Sequence, residues 1–258
     1  MIAQRNAAEI EQIRASCHIV VQAQEAIARV AVPGATTRDL DAVAEETIRS
    51  CGGIPAFKGY HGFPASICAS INAETVHGIP GPTRLRGGDI LTVDVGVRLD
   101  GYFGDAAFTI GIGAIADECW RLLDTTRTCL ELGIEQARPG NRVSDISHAI
   151  QTGAEARGAA VVRQFGGHGI GRALHEDPHV QNFGPPGRGA RLRAGNVLAI
   201  EPILASGDPE MVIAANEWTA STRDGSPSAH FEHTIAVTAE GPEILTAPAP
   251  DRTAPDDA

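Results

Sequence analysis

The sequence predicts an α+β fold made of two related halves, and two observations carry that prediction. First, Pro33-Gly34 begins a segment that aligns without gaps with the segment beginning at Pro139-Gly140, 106 residues later. Second, each copy follows an amphipathic helical pattern and opens another helix. The second copy follows a helix predicted over residues 117–137 and precedes strands predicted over 196–204 and 231–237. This repeat indicates an internal duplication, which predicts a pseudo-twofold domain with a site between its halves.

The first half opens with two helical patterns. Apolar residues recur at helical spacing over residues 10–30, and Pro33-Gly34 ends that helix. Thr36 and Asp39 form an approximate capping box for a second helix, and Gly52-Gly53 stops it. A strand-and-turn region is predicted to follow the second helix.

A β-hairpin is predicted around the turn signal Asp100-Gly101, because runs of β-forming residues at 90–97 and 102–110 flank it. Asp94 lies among valines in the first run and Asp105 lies in the second, so antiparallel pairing should bring the two carboxylates face to face. A carboxylate inside an apolar strand costs several kcal/mol unless a partner neutralises its charge. One or two divalent cations would remove this cost and the repulsion between the carboxylates. The alternative is a hairpin whose aspartates point to solvent.

Composition and charge argue against several classes of protein. The chain has 258 residues, of which 43% are hydrophobic, so it can bury a sizeable core. Its 21 basic residues form no run and its net charge is −11, which argues against a surface for nucleic acid or anionic membrane. The five cysteines are odd in number and include no CxxC pair, so neither a disulfide framework nor a zinc ribbon is indicated.

The N-terminus and the hydropathy of the chain predict a cytoplasmic protein. The first residues include acids where a signal peptide needs an apolar core. No apolar run approaches the roughly 20 residues that are needed to cross a bilayer. The Pro- and Asp-rich residues 249–258 predict a disordered tail after a domain that spans residues 1–248.

Further segments carry side chains that are typical of a metal site. His168 is flanked by glycines in GGHGIG, which let the backbone approach closely and expose the imidazole. Glu201 and Glu232 lie in the strand-like motifs AIEP and FEHT. A single histidine or glutamate of this kind is more often solvated or structural. Together with Asp94 and Asp105 they form an oxygen-rich set with one imidazole, which suits Mn, Fe or Co, with Zn as a further candidate.

The motifs and their order resemble those of the type I methionine aminopeptidases, in their short bacterial form. The resemblance spans residues 10–245 and is carried chiefly by GYHGFPASICASIN at 59–72, VHGIPGP at 76–82, GGHGIGRALHEDP at 166–178 and HFEHTIAVT from 230. It implies a pita-bread metallopeptidase fold, in which an antiparallel sheet carries helices on its outer face. It also implies that the domain at 1–248 is a single catalytic domain of two pseudo-symmetric halves.

The resemblance implies a centre with two divalent metal ions. Asp105 and Glu232 resemble the carboxylates that bridge the two ions. Asp94 resembles the bidentate ligand of one ion, whereas His168 and Glu201 resemble ligands of the other. The identity of the metal stays open among Co, Mn, Fe and Zn.

The resemblance also implies the reaction and its participants. The family removes the N-terminal methionine from nascent proteins and peptides with a small second residue, by attack of a metal-bridging hydroxide. By resemblance, His175 stabilises the oxyanion, His77 contacts the scissile amide nitrogen and Glu201 relays the proton. The expected partners are the N-termini of nascent polypeptides, with contact to the ribosome as a further expectation, and the expected state is a monomer.

The methionine slot is the part in which this chain departs from its relatives. By resemblance, the slot is lined by Tyr60, Phe63, Cys68 and Trp218. Phe57 stands where family members often carry a small residue, and Leu174 stands where they often carry an aromatic one. These two changes indicate either reciprocal repacking of one wall or an altered preference for the first residue.

Two other interpretations remain open at this point. The proline-cleaving peptidases of the same fold usually carry an additional N-terminal domain, whereas the first helix here is predicted to begin within about ten residues of Met1. A non-catalytic binding protein on the same fold is the alternative from a different class. Such proteins lose metal ligands, and all five matching positions are intact here. His18 and His148 lie on predicted helices and are expected to be dispensable.

Overall fold

The computed structural model describes residues 2–247, so the tail predicted at 249–258 lies outside the described residues. Four α-helices are described in this range: α1 (Ala7–Val30), α2 (Thr37–Ser50), α3 (Asp117–Glu135) and α4 (Val143–Glu155). The described strands are β1 (Ile54–Pro55), β2 (Cys68–Ile71), β3 (Glu74–Val76), β4 (Ile90–Leu99), β5 (Tyr102–Gly111), β6 (Ala160–Val161), β7 (Gly166–Gly169), β8 (Glu176–Gln181), β9 (Val197–Ile200), β10 (Ile203–Ala205), β11 (Met211–Ile213), β12 (Ala220–Thr222), β13 (Ser228–His230), β14 (His233–Val237) and β15 (Pro242–Ile244).

The predicted capping box opens α2. The backbone N–H of Asp39 donates to Thr36 Oγ1 at 3.2 Å, and the N–H of Thr36 donates to Asp39 Oδ2 at 2.8 Å. At the start of α4, the N–H of Arg142 donates to Asp145 Oδ2 at 2.7 Å, so the same carboxylate contact recurs 106 residues later. These contacts satisfy N–H groups that have no partner within the helix.

The duplication extends to the hydrogen bonds that hold each Pro-Gly turn. The N–H of Gly34 donates to the carbonyl of Leu85 at 2.8 Å. The N–H of Gly140 donates to the carbonyl of Leu192 at 3.0 Å. The arginine before each leucine donates from its guanidinium to the carbonyl of the same glycine, at 2.6 and 3.1 Å. These equivalent contacts, at offsets of 106 residues for the glycines and 107 for the arginines and leucines, confirm the predicted pseudo-twofold fold.

Each half is organised around one central antiparallel strand. In the first half, β4 pairs with β5 on one edge and with β2 and β1 on the other. In the second half, β9 pairs with β14 on one edge and with β7 on the other, and β15 and β8 extend the sheet to five strands. Helices α1 and α2 pack on the first sheet, and α3 and α4 pack against the strands of the second half.

The two halves are joined by hydrogen bonds between β5 and the segment 230–234. The N–H of Asp105 donates to Thr234 Oγ1 at 3.2 Å, and that hydroxyl donates back to the carbonyl of Asp105 at 2.7 Å. The N–H of Glu232 donates to the carbonyl of Ala107 at 2.9 Å. This seam brings a carboxylate from each half to the centre of the molecule.

Helix α1 lies directly against the hairpin next to that seam. A Cβ at Gly104 would lie 2.7 Å from the backbone nitrogen of Cys17, so glycine is the residue that lets helix and strand approach this closely. No described helix is long and apolar enough to span a membrane.

Candidate functional site

A cavity of about 450 Å³ opens between the two halves. Its lining includes every residue that the sequence singled out for metal, catalysis or substrate, together with one that it did not, His61. The lining residues are Phe57, Tyr60, His61, Phe63, Cys68, His77, Asp94, Asp105, His168, Leu174, His175, Glu201, Trp218 and Glu232.

The hairpin supplies two carboxylates to the floor of the cavity, in a register that differs from the expectation. Asp100 and Gly101 have φ of 48° and 84°, as a two-residue primed turn requires. This turn pairs Asp94 with Ala107 and Gly96 with Asp105. The aspartates therefore lie diagonally on one face of the hairpin rather than directly opposite each other, and their cross-strand partners are small residues.

Strand β2 places one predicted wall residue beside these carboxylates. Cys68 pairs with Asp94 across the β2–β4 ladder. Burial, followed by the charge of Asp94, raises the pKa of the Cys68 thiol well above its usual value. Cys68 is therefore a neutral and polarisable part of the wall.

Strand β7 holds His168 close to the second-half sheet. A Cβ at Gly167 would clash with the carbonyl oxygen of Ala199, which explains the glycine before the histidine. His168 Nδ1 lies 2.9 Å from the carbonyl oxygen of Gly169. Because a carbonyl can only accept, Nδ1 carries the ring proton and Nε2 presents its lone pair to the cavity.

The two glutamates lie where the second-half ladder is interrupted. The strand predicted at 196–204 is divided into β9 and β10 by Glu201 and Pro202, because proline has no N–H for a ladder. The strand predicted at 231–237 begins only at 233, after Glu232. Strand pairing of β9 with β14 and of β10 with β13, on either side of this break, holds the two glutamates in place. Both glutamates line the cavity.

Asp105 and Glu232 are buried, Asp94 and Glu201 lie largely buried beside them, and this burial opposes the ionisation of all four carboxyl groups. Burial raises the pKa of Asp94 to about 7 and that of Glu201 to about 8, and for Glu201 the charge of Asp94 adds to the effect. Burial and then the charges of neighbouring carboxylates raise the pKa of Asp105 and of Glu232 well above their usual values. Burial lowers the pKa of His168 to about 3, so its imidazole is neutral. The set therefore lacks positive charge of its own.

The donor atoms fit divalent cations. Asp94 Oδ1, Asp105 Oδ1 and Glu232 Oε1 are buried without a hydrogen-bond partner among the described residues. His168 Nε2 is 3.6 Å from Glu201 Oε1 and 4.0 Å from Asp105 Oδ2. Donor atoms of Asp105, His168 and Glu232 all lie within 4.8 Å of one another, so small movements of these side chains would let them converge on a shared ion. Buried carboxylates with one neutral imidazole form a donor set for a metal of borderline hardness.

Aromatic and histidine side chains form the wall above these carboxylates. The hydroxyl of Tyr60 is 2.8 Å from His175 Nδ1, and the ring of His175 lies 4.3 Å from that of His168 between centroids. The rings of Phe63 and Trp218 meet edge to face at 5.1 Å. The structure thus brings together the side chains that the resemblance assigns to substrate and those it assigns to metal.

The two departures, Phe57 and Leu174, lie on the same apolar wall. Phe57 is 8% exposed and Leu174 is 2% exposed, and both belong to the same hydrophobic cluster. A Cβ at Gly96 would clash with Phe57 Cε1, so the aromatic ring packs on the bare backbone of β4 beside Asp94.

Sequence reasoning missed two histidines in this region. His61 follows Tyr60 in a short 3-10 turn and has φ of 48°, in the left-handed region. His230 is 2% exposed and its Nε2 lies 3.6 Å from Glu201 Oε2. A positive φ leaves no mark in the sequence, although the first histidine of HFEH, His230, could have been noted because it lies two residues before Glu232.

Comparisons with known proteins agree with this arrangement. A model of metallopeptidase family M24 matches residues 11–239. The chain is 50% identical to a methionine aminopeptidase of Clostridium acetobutylicum over 247 residues, which cover 95% of this chain and 99% of that protein.

Solved structures show the same likeness. The structure of the methionine aminopeptidase of Thermotoga maritima superposes with a TM-score of 0.95 at 43% identity, covering 96% of this chain and 100% of the other. A prolidase from Pyrococcus furiosus, at 21% identity and a TM-score of 0.79, shares the fold, and this chain covers 66% of its length.

Proposed function

Since the chain belongs to metallopeptidase family M24, we propose that the cavity between its halves is where N-terminal methionine is removed from peptides and nascent proteins. The enzyme is a metal-dependent aminopeptidase, as are relatives about half identical to it over nearly its whole length. A small second residue is expected in the substrate, as the family resemblance implies. The observation that carries the proposal is the group of buried carboxyl groups beneath an apolar wall.

Charge balance supports two divalent ions in this cavity. Four ionised carboxylates carry four negative charges, and the neutral imidazole of His168 offsets none of them. Two divalent cations would neutralise this charge and so lower the pKa values that burial raises. As the family resemblance implies, Asp105 and Glu232 would be shared by both ions, Asp94 would hold one ion, and His168 and Glu201 would hold the other.

The chemistry of the bound ions is Lewis acidity and activation of a water nucleophile near neutral pH. The chain's own residues move protons and hold the substrate. Glu201, at the edge of the metal site, can accept a proton and pass it to the leaving amine. His175 donates a hydrogen bond to the carbonyl oxygen as negative charge develops on it. His77 contacts the nitrogen of the scissile amide.

The apolar wall selects the first side chain. A thioether needs a slot of the right length with polarisable, apolar walls. Tyr60, Phe63, Cys68 and Trp218 offer such walls, next to the carboxylates that would lie near the substrate's α-amine. Binding the amine at the charged end of the cavity restricts cleavage to the first peptide bond.

The proposed cellular role is the trimming of nascent chains in the cytoplasm by a monomer. Contact with the ribosome would bring the cavity to its substrate early. Cosedimentation with ribosomes and sedimentation velocity of the purified protein test these two points separately from catalysis.

Hydrolysis of Met-Ala-Ser tests the function directly. The protein is stripped with a chelator, reloaded separately with Co²⁺, Mn²⁺, Fe²⁺ or Zn²⁺, and assayed for free methionine. We expect no product from the stripped protein and turnover after reloading, with about two ions bound per chain. Binding of the peptide without turnover under every metal would favour the non-catalytic alternative. A preference for Xaa-Pro substrates would favour the activity named for the prolidase instead.

A further inference from the structure

His230 is a buried side chain that has no role in the chemistry described above. It is the last residue of β13, pairs with Ile203 of β10 and is 2% exposed. The N–H of His230 donates to Thr109 Oγ1 at 3.0 Å, and that hydroxyl lies 2.8 Å from the carbonyl oxygen of His230, to which it donates. The imidazole is therefore carried by a firmly held stretch of strand.

The imidazole of His230 faces two of the candidate ligands. Its Nε2 lies 3.6 Å from Glu201 Oε2 and 3.9 Å from Glu232 Oε2. Neither ring nitrogen has a hydrogen-bond partner among the described residues. Because a buried polar atom without a hydrogen-bond partner destabilises the fold, this arrangement indicates an interaction that forms when the carboxylates take up their ions.

Glu201 lies between two imidazoles that meet it in different ways. His168 Nε2 is 3.6 Å from Glu201 Oε1, and His230 Nε2 is at the same distance from Oε2. Donor atoms of His168, Asp105 and Glu232 also lie within 4.8 Å of one another, so His168 faces the space for an ion. His230 instead meets Glu201 at the other carboxylate oxygen, on the side away from His168 Nε2.

We propose that His230 is a positioning residue whose Nε2–H donates a hydrogen bond to Glu201 Oε2 and thereby aims Oε1 at the ion that His168 binds. This inference rests on the proposed function, since it takes Glu201 as a ligand. A movement of about 0.4 Å brings the 3.6 Å contact within the roughly 3.2 Å limit of an N–H···O bond. Carboxylates that bind metals are commonly held by such hydrogen bonds, and losing one lowers metal affinity ~10–100-fold.

Three variants separate positioning from general packing. His230→Gln keeps a neutral donor, and His230→Leu removes the donor while filling the space. His233→Leu is the matched control, because His233 is a half-buried histidine three residues away whose Nδ1 contacts Thr246 Oγ1 at 2.8 Å instead of a carboxylate. Thermal unfolding of each stripped protein checks that it folds.

The affinity for Mn²⁺, measured by calorimetry on stripped protein, is the readout. We expect His230→Leu to bind Mn²⁺ ~10–100-fold more weakly, His230→Gln to regain most of the affinity, and His233→Leu to match the unmodified chain. Unchanged affinity in His230→Leu, or equal losses in the Leu and Gln variants, would overturn the proposal.

X-ray absorption of the Co²⁺-loaded, unmodified protein adds a test that needs no variant. It counts imidazole ligands, and we expect one histidine for the pair of ions. Two histidines would make His230 a direct ligand and overturn the positioning role. If the unmodified protein takes up no metal at all, the proposed function fails. If it binds metal and His230→Leu binds equally well, only this inference fails.

Discussion

The hydroxyl of Tyr60 lies 2.8 Å from Nδ1 of His175, and the direction of this hydrogen bond decides which ring nitrogen of the histidine carries a proton. Burial lowers the pKa of His175, so the neutral ring has one proton to place. When the phenol donates to Nδ1, that proton lies on Nε2. In that arrangement His175 is a hydrogen-bond donor in the cavity that both side chains line.

Replacing Tyr60 with phenylalanine should lower kcat and leave metal binding intact. The variant keeps the aromatic wall and loses only the contact with His175. A single hydrogen bond contributes about 0.5–1.5 kcal/mol, so we expect a loss of roughly 2–10-fold in kcat. Tyr102→Phe is the matched control, because that hydroxyl donates to Glu9 Oε1 at 3.3 Å, outside the cavity. A normal kcat for Tyr60→Phe would show that the phenol does not set the tautomer.

Local patterns predicted much of the fold because the features that form it are local. The turn at Asp100-Gly101, the capping box of α2 and the repeated Pro-Gly turns each involve residues close together in sequence. A one-residue change in hairpin register alters every cross-strand pair. The diagonal placement of Asp94 and Asp105 follows from the two-residue turn, and counting across that turn would have predicted it.

Contacts between distant segments were not predictable from local pattern. Tyr60 and His175 are 115 residues apart, and no periodicity links them. The contact of His230 with Glu201 depends on where the ladder between β10 and β13 stops. The candidate site could be assembled from the sequence only because whole motifs resemble those of a known family.

Asp105→Asn should abolish most activity and weaken metal loading. The change keeps the side chain's size and removes the charge of a proposed bridging ligand. Removing a residue that only hydrogen-bonds to a metal ligand lowers metal affinity ~10–100-fold, so weakening a ligand itself should lower the affinity further. Metal content by emission spectroscopy and turnover of Met-Ala-Ser are the measurements. Asp100→Asn, at the exposed turn where φ is 48°, should behave as the unmodified chain. Normal metal content and turnover in Asp105→Asn would remove the bridging assignment.

Alanine substitutions at His168 and His175 should have different effects. His168→Ala should reduce metal content, because its Nε2 faces the carboxylates. His175→Ala should keep its metal, and its kcat should fall ~10²–10³-fold, which is the typical effect of removing one hydrogen-bond donor to an oxyanion. His18→Ala and His148→Ala serve as controls, since both side chains are exposed on helices. The opposite pattern of metal content would refute this division of roles.

Without metal, the protein should become less stable as the pH rises from about 6.5 to 8. The pKa of Glu201 is raised to about 8 in the folded state. The unfolded state releases that proton near pH 4.5, so the folded state binds more protons over this window. The free energy of unfolding therefore falls by up to ~1.4 kcal/mol per pH unit for one such group. Burial lowers the pKa of His168 to about 3, which affects stability only below about 6.5, where unfolded imidazole gains a proton.

Scanning calorimetry with a chelator and with saturating Mn²⁺ measures this difference. We expect Tm to fall with rising pH in the chelator and to be nearly constant with Mn²⁺, because the ions neutralise the carboxylates. A Tm that rises from pH 6.5 to 8 in the stripped protein would contradict the buried-charge account.

Methionine should remain the preferred first residue despite Phe57 and Leu174. If the ring that packs on Gly96 fills the space of an aromatic at 174, the slot keeps its volume, and volume-conserving swaps in apolar sites are usually tolerated. One methylene changes discrimination by only ~1–3 kcal/mol, so norleucine should be accepted and leucine disfavoured. The measurement is the initial rate on Xaa-Ala-Ser tripeptides whose first residue is methionine, norleucine, leucine or phenylalanine.

Two variants test the role of the wall. Phe57→Ala should reduce the preference for methionine, and Phe183→Ala, outside the cavity, should not. Leucine or phenylalanine reacting faster than methionine in the unmodified chain would show that the altered wall has changed the specificity.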